Sequence, residues 1–339
     1  MIAKYKASEE CKLLSKMILV LPKKATLDDL KMYHATDYLK VLQHQECDDN
    51  EDDDICSEFG FGYDCPFREG LFDYCLQIAG GSLTAADYLC ENHNSIVFHW
   101  LGGWHHAKRN VCAGYCYIND CVLAILRLRK CFPKILYIDL DLHHGDGVED
   151  AFCATDKVFT FSVHKFELGF FPGTGDIKDV GIGKGFYHTV NLPLKDGVDD
   201  ENFLKVCKKI LMKIKTVFKP DAIVLQAGAD GLNGDPMRSF NLTSQGLLRC
   251  VELVVSWDLP TLILGGGGYN EANVARCWCQ ITASVLKKEL PEDIPDNKFF
   301  LEYGPDFEFN IEKSFKKDLN SSDYLDSITK IISDNLDKL

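Results

Sequence analysis

Between residues 139 and 147 the chain reads Asp139-Leu140-Asp141-Leu142-His143-His144-Gly145-Asp146-Gly147. It follows an apolar run, and residues two apart in an extended strand face the same side. Asp139, Asp141 and His143 therefore project together, with Leu140 and Leu142 opposite. Two carboxylates and an imidazole converging there would repel or desolvate badly without a cation, and a divalent metal resolves this. The bland alternative is a solvated acidic loop with an incidental histidine. A third acid, Asp230, stands in Ala227-Gly228-Ala229-Asp230-Gly231 after another apolar run. Alone it reads more readily as a cap or turn residue. Taken with Asp141 and His143 it makes three protein ligands with a position open for water, the design of a catalytic zinc site. A second histidine pair, His105-His106, follows Gly102-Gly103-Trp104. Imidazoles beside a metal suit general acid–base work, although alone the pair reads equally well as a structural loop. Four glycines, Gly265 to Gly268, precede Tyr269. They let the backbone approach a ligand closely. A phosphate cradle is the weaker reading, since neither G-x-G-x-x-G nor a following Lys-Ser/Thr is present. Tyr269 is either a hydroxyl donor at the site or an aromatic packed on the sheet.

Each of these segments follows a short apolar run. The strand-like runs are 96–100, 135–140, 158–163, 188–192, 222–226 and 261–264. Helical patterns lie between them. The clearest spans 200–219, where Phe203, Cys207, Ile210, Leu211, Ile214, Val217 and Phe218 share one face. Asp200 is its expected N-cap and Pro220 ends it. Residues 270–290 and 324–336 are further helix candidates. Alternating strands and helices imply an α/β fold, a mostly parallel multi-stranded sheet flanked by helices on both faces. No internal repeat or long linker divides residues 1–339, so one domain is expected. Ligands in such folds bind beyond the carboxyl ends of the strands, where these residues fall. The acidic run Asp48, Asp49, Glu51, Asp52, Asp53 and Asp54 reads as a solvated loop.

Composition narrows the function. The 339 residues are 46% hydrophobic and 26% charged, which excludes a disordered or collagen-like chain. With 37 basic and 51 acidic residues the net charge is −14. That argues against direct nucleic-acid binding and suits a basic partner such as a lysine-rich protein tail. No apolar run reaches the roughly 18 residues of a membrane span, and the start, MIAKYKASEECK, lacks the apolar core of a secretory signal. Fifteen cysteines, several in apolar segments and none in C-x-x-C spacing, read as reduced thiols in cytosol or nucleus.

Taken together, GGWHHAKR (102–109), GYCYIND (114–120), ILYIDLDLHHGDGVEDAF (135–152), GFFPGTGD (169–176), GAD-x-x-x-GDP (228–236), LGGGGYN (264–270) and YGPD (303–306) resemble the class I zinc-dependent histone deacetylases. The resemblance implies a single domain of the arginase–deacetylase fold that hydrolyses the Nε-acetyl group of lysine in histones or other proteins, repressing transcription through chromatin. It implies Asp141, His143 and Asp230 as ligands of zinc, with Fe²⁺ equally suited to Asp/His donors. It implies His106 as general base and acid oriented by Asp146, His105 paired with Asp139, and Tyr269 as the group polarising the acetyl carbonyl. Tyr115 and Phe171 match the walls of an acetyl-lysine tunnel, and Met237 its mouth. Gly114 would accept a hydrogen bond from the substrate amide, and Asp64 is the rim acid that holds the substrate backbone. Structural potassium is implied at Asp139, Asp141, His143, Ser162 and Val163, and again at Phe152, Thr155, Val158 and His188. A nuclear and also cytoplasmic location and corepressor partners are further expectations. Tyr115 stands where the family usually has Phe, and Gly231 where Thr or a similar residue is common. The family's first strand, with the arginine that follows it, has no counterpart, so a sheet short of that strand and a less stable chain are expected. The rival functions are deacetylation of small acetylated amines such as polyamines, and a non-catalytic acetyl-lysine-binding scaffold.

Overall fold

The structure is a computed structural model that describes residues 12–44 and 57–339. The acidic run at 48–54 and the start of the chain, where the first strand would bear on the sheet, lie outside those residues. Each apolar run forms a strand: β1 Ile96–His99, β2 Ile135–Asp139, β3 Val158–Lys165, β4 Thr189–Leu194, β5 Ala222–Gln226 and β6 Thr261–Leu264. All pairings are parallel, and the order across the sheet is β1-β6-β5-β2-β3-β4. β4 begins one residue later than expected and continues through Pro193. Proline is tolerated there because, among the described strands, β4 pairs with β3 alone. Its outer side is met by Tyr324, whose hydroxyl donates to the Pro193 carbonyl (2.9 Å).

The period-2 alternation of the strands sorts their side chains to two helical layers. Leu136, Ile138, Phe159, Phe161, Ile223 and Leu225 join one core. It is closed by α6 (Asp200–Phe218), α7 (Ser244–Val255), α8 (Glu271–Val285) and α9 (Ser322–Leu336). Ile135, Tyr137, Val158, Val224 and Leu262 join the opposite core, under α3 (Leu71–Glu91), α4 (Asp120–Leu128) and α5 (Asp146–Phe152). Two shorter helices, α1 (Leu27–Leu30) and α2 (Thr36–His44), pack beside α3. Each buried Leu or Ile contributes about 1.5–3 kcal/mol relative to exposure. Among the described residues no helix is long and apolar enough to cross a membrane.

Two expectations are corrected. The N-cap of α6 is Asp199, whose Oδ1 accepts from the Asn202 N–H (3.0 Å). Asp200 is already helical, and its carboxylate is taken by the Thr243 N–H and hydroxyl (2.9 and 2.6 Å). The thiols are not all reduced either. Cys90 and Cys131 form a disulfide, because α3 and α4 pack side by side and bring these two positions to a Cα–Cα distance of 5.7 Å. Of the other described cysteines all but Cys153 are buried.

The strand order explains where a site belongs. From β2 the chain winds outward to β3 and β4, then returns through α6 to lay β5 on the other side of β2. The direction of winding reverses between β2 and β5. The crevice beyond their carboxyl ends is the topological switch point, where open α/β sheets bind ligands.

Candidate metal centre and acid–base pair

β2 delivers Asp139 and the turn Asp141–His143 to that crevice, and β5 delivers Asp230. Asp141, His143 and Asp230 are buried, and one ligand atom from each lies within 4.8 Å of the others. The His143 Nδ1 is 2.8 Å from Asp230 Oδ2 and 3.3 Å from Asp141 Oδ1. The remaining carboxylate oxygens are tied back. Asp141 Oδ2 accepts from the Gln226 side-chain amide (2.8 Å) and the Gly267 N–H (2.9 Å), and Asp230 Oδ1 accepts from the Leu142 N–H (2.8 Å). Each acid therefore turns one oxygen toward His143 while its other oxygen fixes its orientation. Two anionic oxygens and one imidazole nitrogen, held by outer partners, are a donor set that fits a divalent cation. The electrostatics agree. Burial opposes charge on the His143 ring, yet Asp141 and Asp230 outweigh it and raise its pKa to about 10. Burial and the neighbouring Asp141 raise Asp230 to about 7.

Beside this cluster stand His105 and His106, brought by the loop after β1. His105 Nδ1 is 2.7 Å from Asp139 Oδ2, and His106 Nδ1 is 2.8 Å from Asp146 Oδ1. A carboxylate only accepts, so both Nδ1 atoms carry hydrogen. The two Nε2 atoms face each other at 2.9 Å. Burial opposes charge on both rings. At His105 the carboxylates of Asp139 and Asp141 prevail and the pKa rises to about 9. At His106 burial and the His105 charge prevail over Asp146, and the pKa falls to about 4. With its pKa raised, His105 is the donor of the pair, and its Nε2–H faces the electron pair on the His106 Nε2. Lys108 reaches the second oxygen of Asp146 at 3.5 Å.

A cavity of about 140 Å³ is lined by His105, His106, Gly114, Tyr115, Asp141, His143 and Tyr269. The Phe171 ring lies 4.8 Å from His106 and 6.0 Å from His143. Tyr115 meets Tyr269 edge to face at 6.1 Å. Tyr115 is 60% exposed, so it stands at the mouth rather than deep in a wall. Met237 is also partly exposed. The Asp64 carboxylate accepts from the Gly114 N–H (2.7 Å). Gly114 has φ +54°, and a Cβ there would strike the His106 ring, so glycine is required. Ser162, beside Asp139 in the β2–β3 register, and Val163 lie on β3. Phe152 and Thr155 precede that strand, Val158 opens it, and the His188 carbonyl accepts from the Thr160 N–H (3.0 Å).

Sequence reading missed two residues. Gln226 donates to Asp141 and, through its carbonyl oxygen, accepts from the Gly228 N–H (2.8 Å). A polar residue ending an apolar strand was its only signal. Asp235 is buried and accepts from the Tyr269 N–H (2.7 Å) and the Asn270 N–H (3.3 Å), which sets the backbone that presents Tyr269.

This is an α/β protein whose switch point holds a candidate hydrolytic metal centre. The histone deacetylase domain model matches residues 2–285. Histone deacetylase 8 of Xenopus tropicalis is 48% identical over 324 residues, covering 96% of this chain and 88% of that protein. The Xenopus laevis protein of that name is 48% identical over 94% of this chain and 98% of its own length. Human histone deacetylase 1 is 46% identical over 95% of this chain and 67% of its own length. The chain belongs to the histone deacetylase family and is a hydrolase of the lysine deacetylase class.

Proposed function

We propose that the chain hydrolyses the Nε-acetyl group of lysine in histone or other protein tails, with Asp141, His143 and Asp230 holding a divalent ion, Zn²⁺ or Fe²⁺. The observation that carries this reading is His106 standing beside the Asp-His-Asp cluster, its ring 6.0 Å from that of His143 and its Nδ1 held by the Asp146 carboxylate. When bound, the ion polarises the acetyl carbonyl and acidifies water. His106 Nε2 takes a proton from the attacking water as its oxygen joins the carbonyl carbon. The same nitrogen returns a proton to the lysine amine as the C–N bond breaks, releasing acetate and free lysine. Asp146 keeps the His106 ring in the tautomer this exchange requires. The Tyr269 hydroxyl donates to the developing oxyanion; burial and the nearby Asp230 and Asp141 raise its pKa, so the proton stays in place. Phe171 and Tyr115 would flank the apolar stem of acetyl-lysine, with Asp64, Gly114 and Met237 at the rim. Potassium at the Ser162–Val163 and Phe152–His188 positions remains part of this proposal, as do transcriptional repression, a nuclear and cytoplasmic location and corepressor partners. A net charge of −14 supports a basic tail as substrate.

The test is turnover of an acetyl-lysine peptide by the zinc-loaded protein, beside His105→Ala, His106→Ala and an acetylated polyamine. The expected result is peptide deacetylation exceeding that of the polyamine, with His106→Ala the more damaging substitution. Stoichiometric zinc with no turnover would favour a scaffold, and the opposite histidine order would reverse the assignment.

A further inference from the structure

We propose that Asn119 is the positioning residue of the acid–base pair, fixing the main chain on both sides of His106. Asn119 is fully buried, and its side chain is wholly committed. Its amide Nδ2 donates to the His105 carbonyl (3.1 Å) and to the Ala107 carbonyl (2.9 Å), so it bridges the residues before and after His106. Its Oδ1 accepts from the Val122 N–H (2.9 Å) and caps α4. Its own N–H donates to Nε2 of His34, itself buried (3.0 Å). The next residue, Asp120, accepts from the Gly103 and Trp104 N–H groups (Trp104 at 2.8 Å), so the loop carrying the histidines is tied to the first turn of α4 at both ends.

α5 closes over the bridge. A Cβ on Gly147 would stand 2.6 Å from both bridged carbonyls and 2.8 Å from the Asn119 Nδ2, so glycine alone allows this approach. The same turn carries Asp146, which holds the His106 ring. Asn119 therefore sets the His106 backbone and Asp146 sets its ring, both from one packed block. Asn119 does not line the cavity, so it acts through His106 and not on substrate. The inference rests on the reading of His106 as the proton-transferring group.

The test compares Asn119→Ser and Asn119→Asp in the full zinc-loaded chain. Both keep a side-chain oxygen to cap α4 and lose the amide donors that hold the loop. Since misplacement by about 1 Å can cost on the order of 10²-fold, we expect kcat to fall about 10- to 100-fold. KM and zinc stoichiometry should stay within about twofold. Gly147→Ala leaves the α4 cap intact and presses a methyl into the same bridge, so it should show the same signature. A folded Asn119→Ser variant with kcat within about threefold of the parent would overturn the inference. So would a loss carried by KM or zinc content, or failure of all three variants to fold. His106→Ala, measured alongside, separates the two readings. Retained turnover in that variant sinks the role of His106 itself, whereas its loss beside an active Asn119→Ser sinks only the positioning role.

Discussion

At His143 one ring nitrogen faces two carboxylates, and the proposed cation would need both. Asp230→Ala is therefore expected to abolish stoichiometric zinc binding together with turnover, read by metal analysis and peptide assay; a variant that keeps both would refute the ligand assignment. Tyr269→Phe removes one donor without touching that cluster. It should keep its zinc and lose roughly 10²–10³ in kcat, and a change below about threefold would mean that the ring merely packs. Much of this is legible in the order of residues alone, because acids and an imidazole crowd the end of one apolar run, although β2 stops at Asp139 and a bend, not strand alternation, sets Asp141 and His143. Asp230, His105, His106 and Tyr269 are legible as polar residues just after other apolar runs, and the family resemblance supplies the tunnel, rim and potassium candidates. What no local pattern discloses are the residues that hold these groups. Gln226, Asp235 and Asn119 work through partners distant in sequence, and period and composition carry no trace of such contacts.

The six strands were readable because short runs rich in Ile, Val and Leu bounded by Gly, Asp or Pro leave little choice. Their ends were less so, and the start of α6 shows why. Asp199 and Asp200 both qualify as caps by type, and the choice falls to Asp199 only because Thr243, the cap of α7, engages Asp200. Asp199→Ala should consequently cost about 1 kcal/mol in urea unfolding and leave kcat unchanged. An effect below about 0.3 kcal/mol would mean that solvent satisfies the end of α6 equally well. The far end of α8 shows the same limit. The apolar pattern runs on to Leu290, yet the helix stops at Val285, with Lys287 in the left-handed region (φ +53°). The Cys90–Cys131 bridge was illegible for a related reason: only the packing of α3 on α4 brings the two thiols together.

Across the whole molecule, buried neutral histidines set the acid limit. Burial lowers His34 to about 4 despite nearby backbone carbonyls, and it lowers His164 as well. A folded pKa below the unfolded value of about 6.5 means that the unfolded chain binds protons first as pH falls. The stability these residues preserve is thus complete above about pH 6.5 and lost toward pH 4, by about 3 kcal/mol for His34 alone. Denaturant titrations at pH 7.5, 6 and 5 should show that decline, and a flat profile would contradict it. The charge of −14 acts at longer range: KM for a lysine-rich acetylated peptide should rise with ionic strength more steeply than KM for a neutral one. The strand order also has a consequence for the chain as it leaves the ribosome. Among the described strands β1 is synthesised first, and its sole partner, β6, is synthesised last, with Ile96 opposite Thr261. Of the described strands, β2, β3 and β4 can pair in the order they emerge, while β1 meets β6 only at the end. For most of its synthesis the nascent protein leaves open the edge of β1 that β6 will cover, the kind of edge that recruits other strands. The loop that bears His105 and His106 follows that strand, so it takes its place only as translation of the sheet ends.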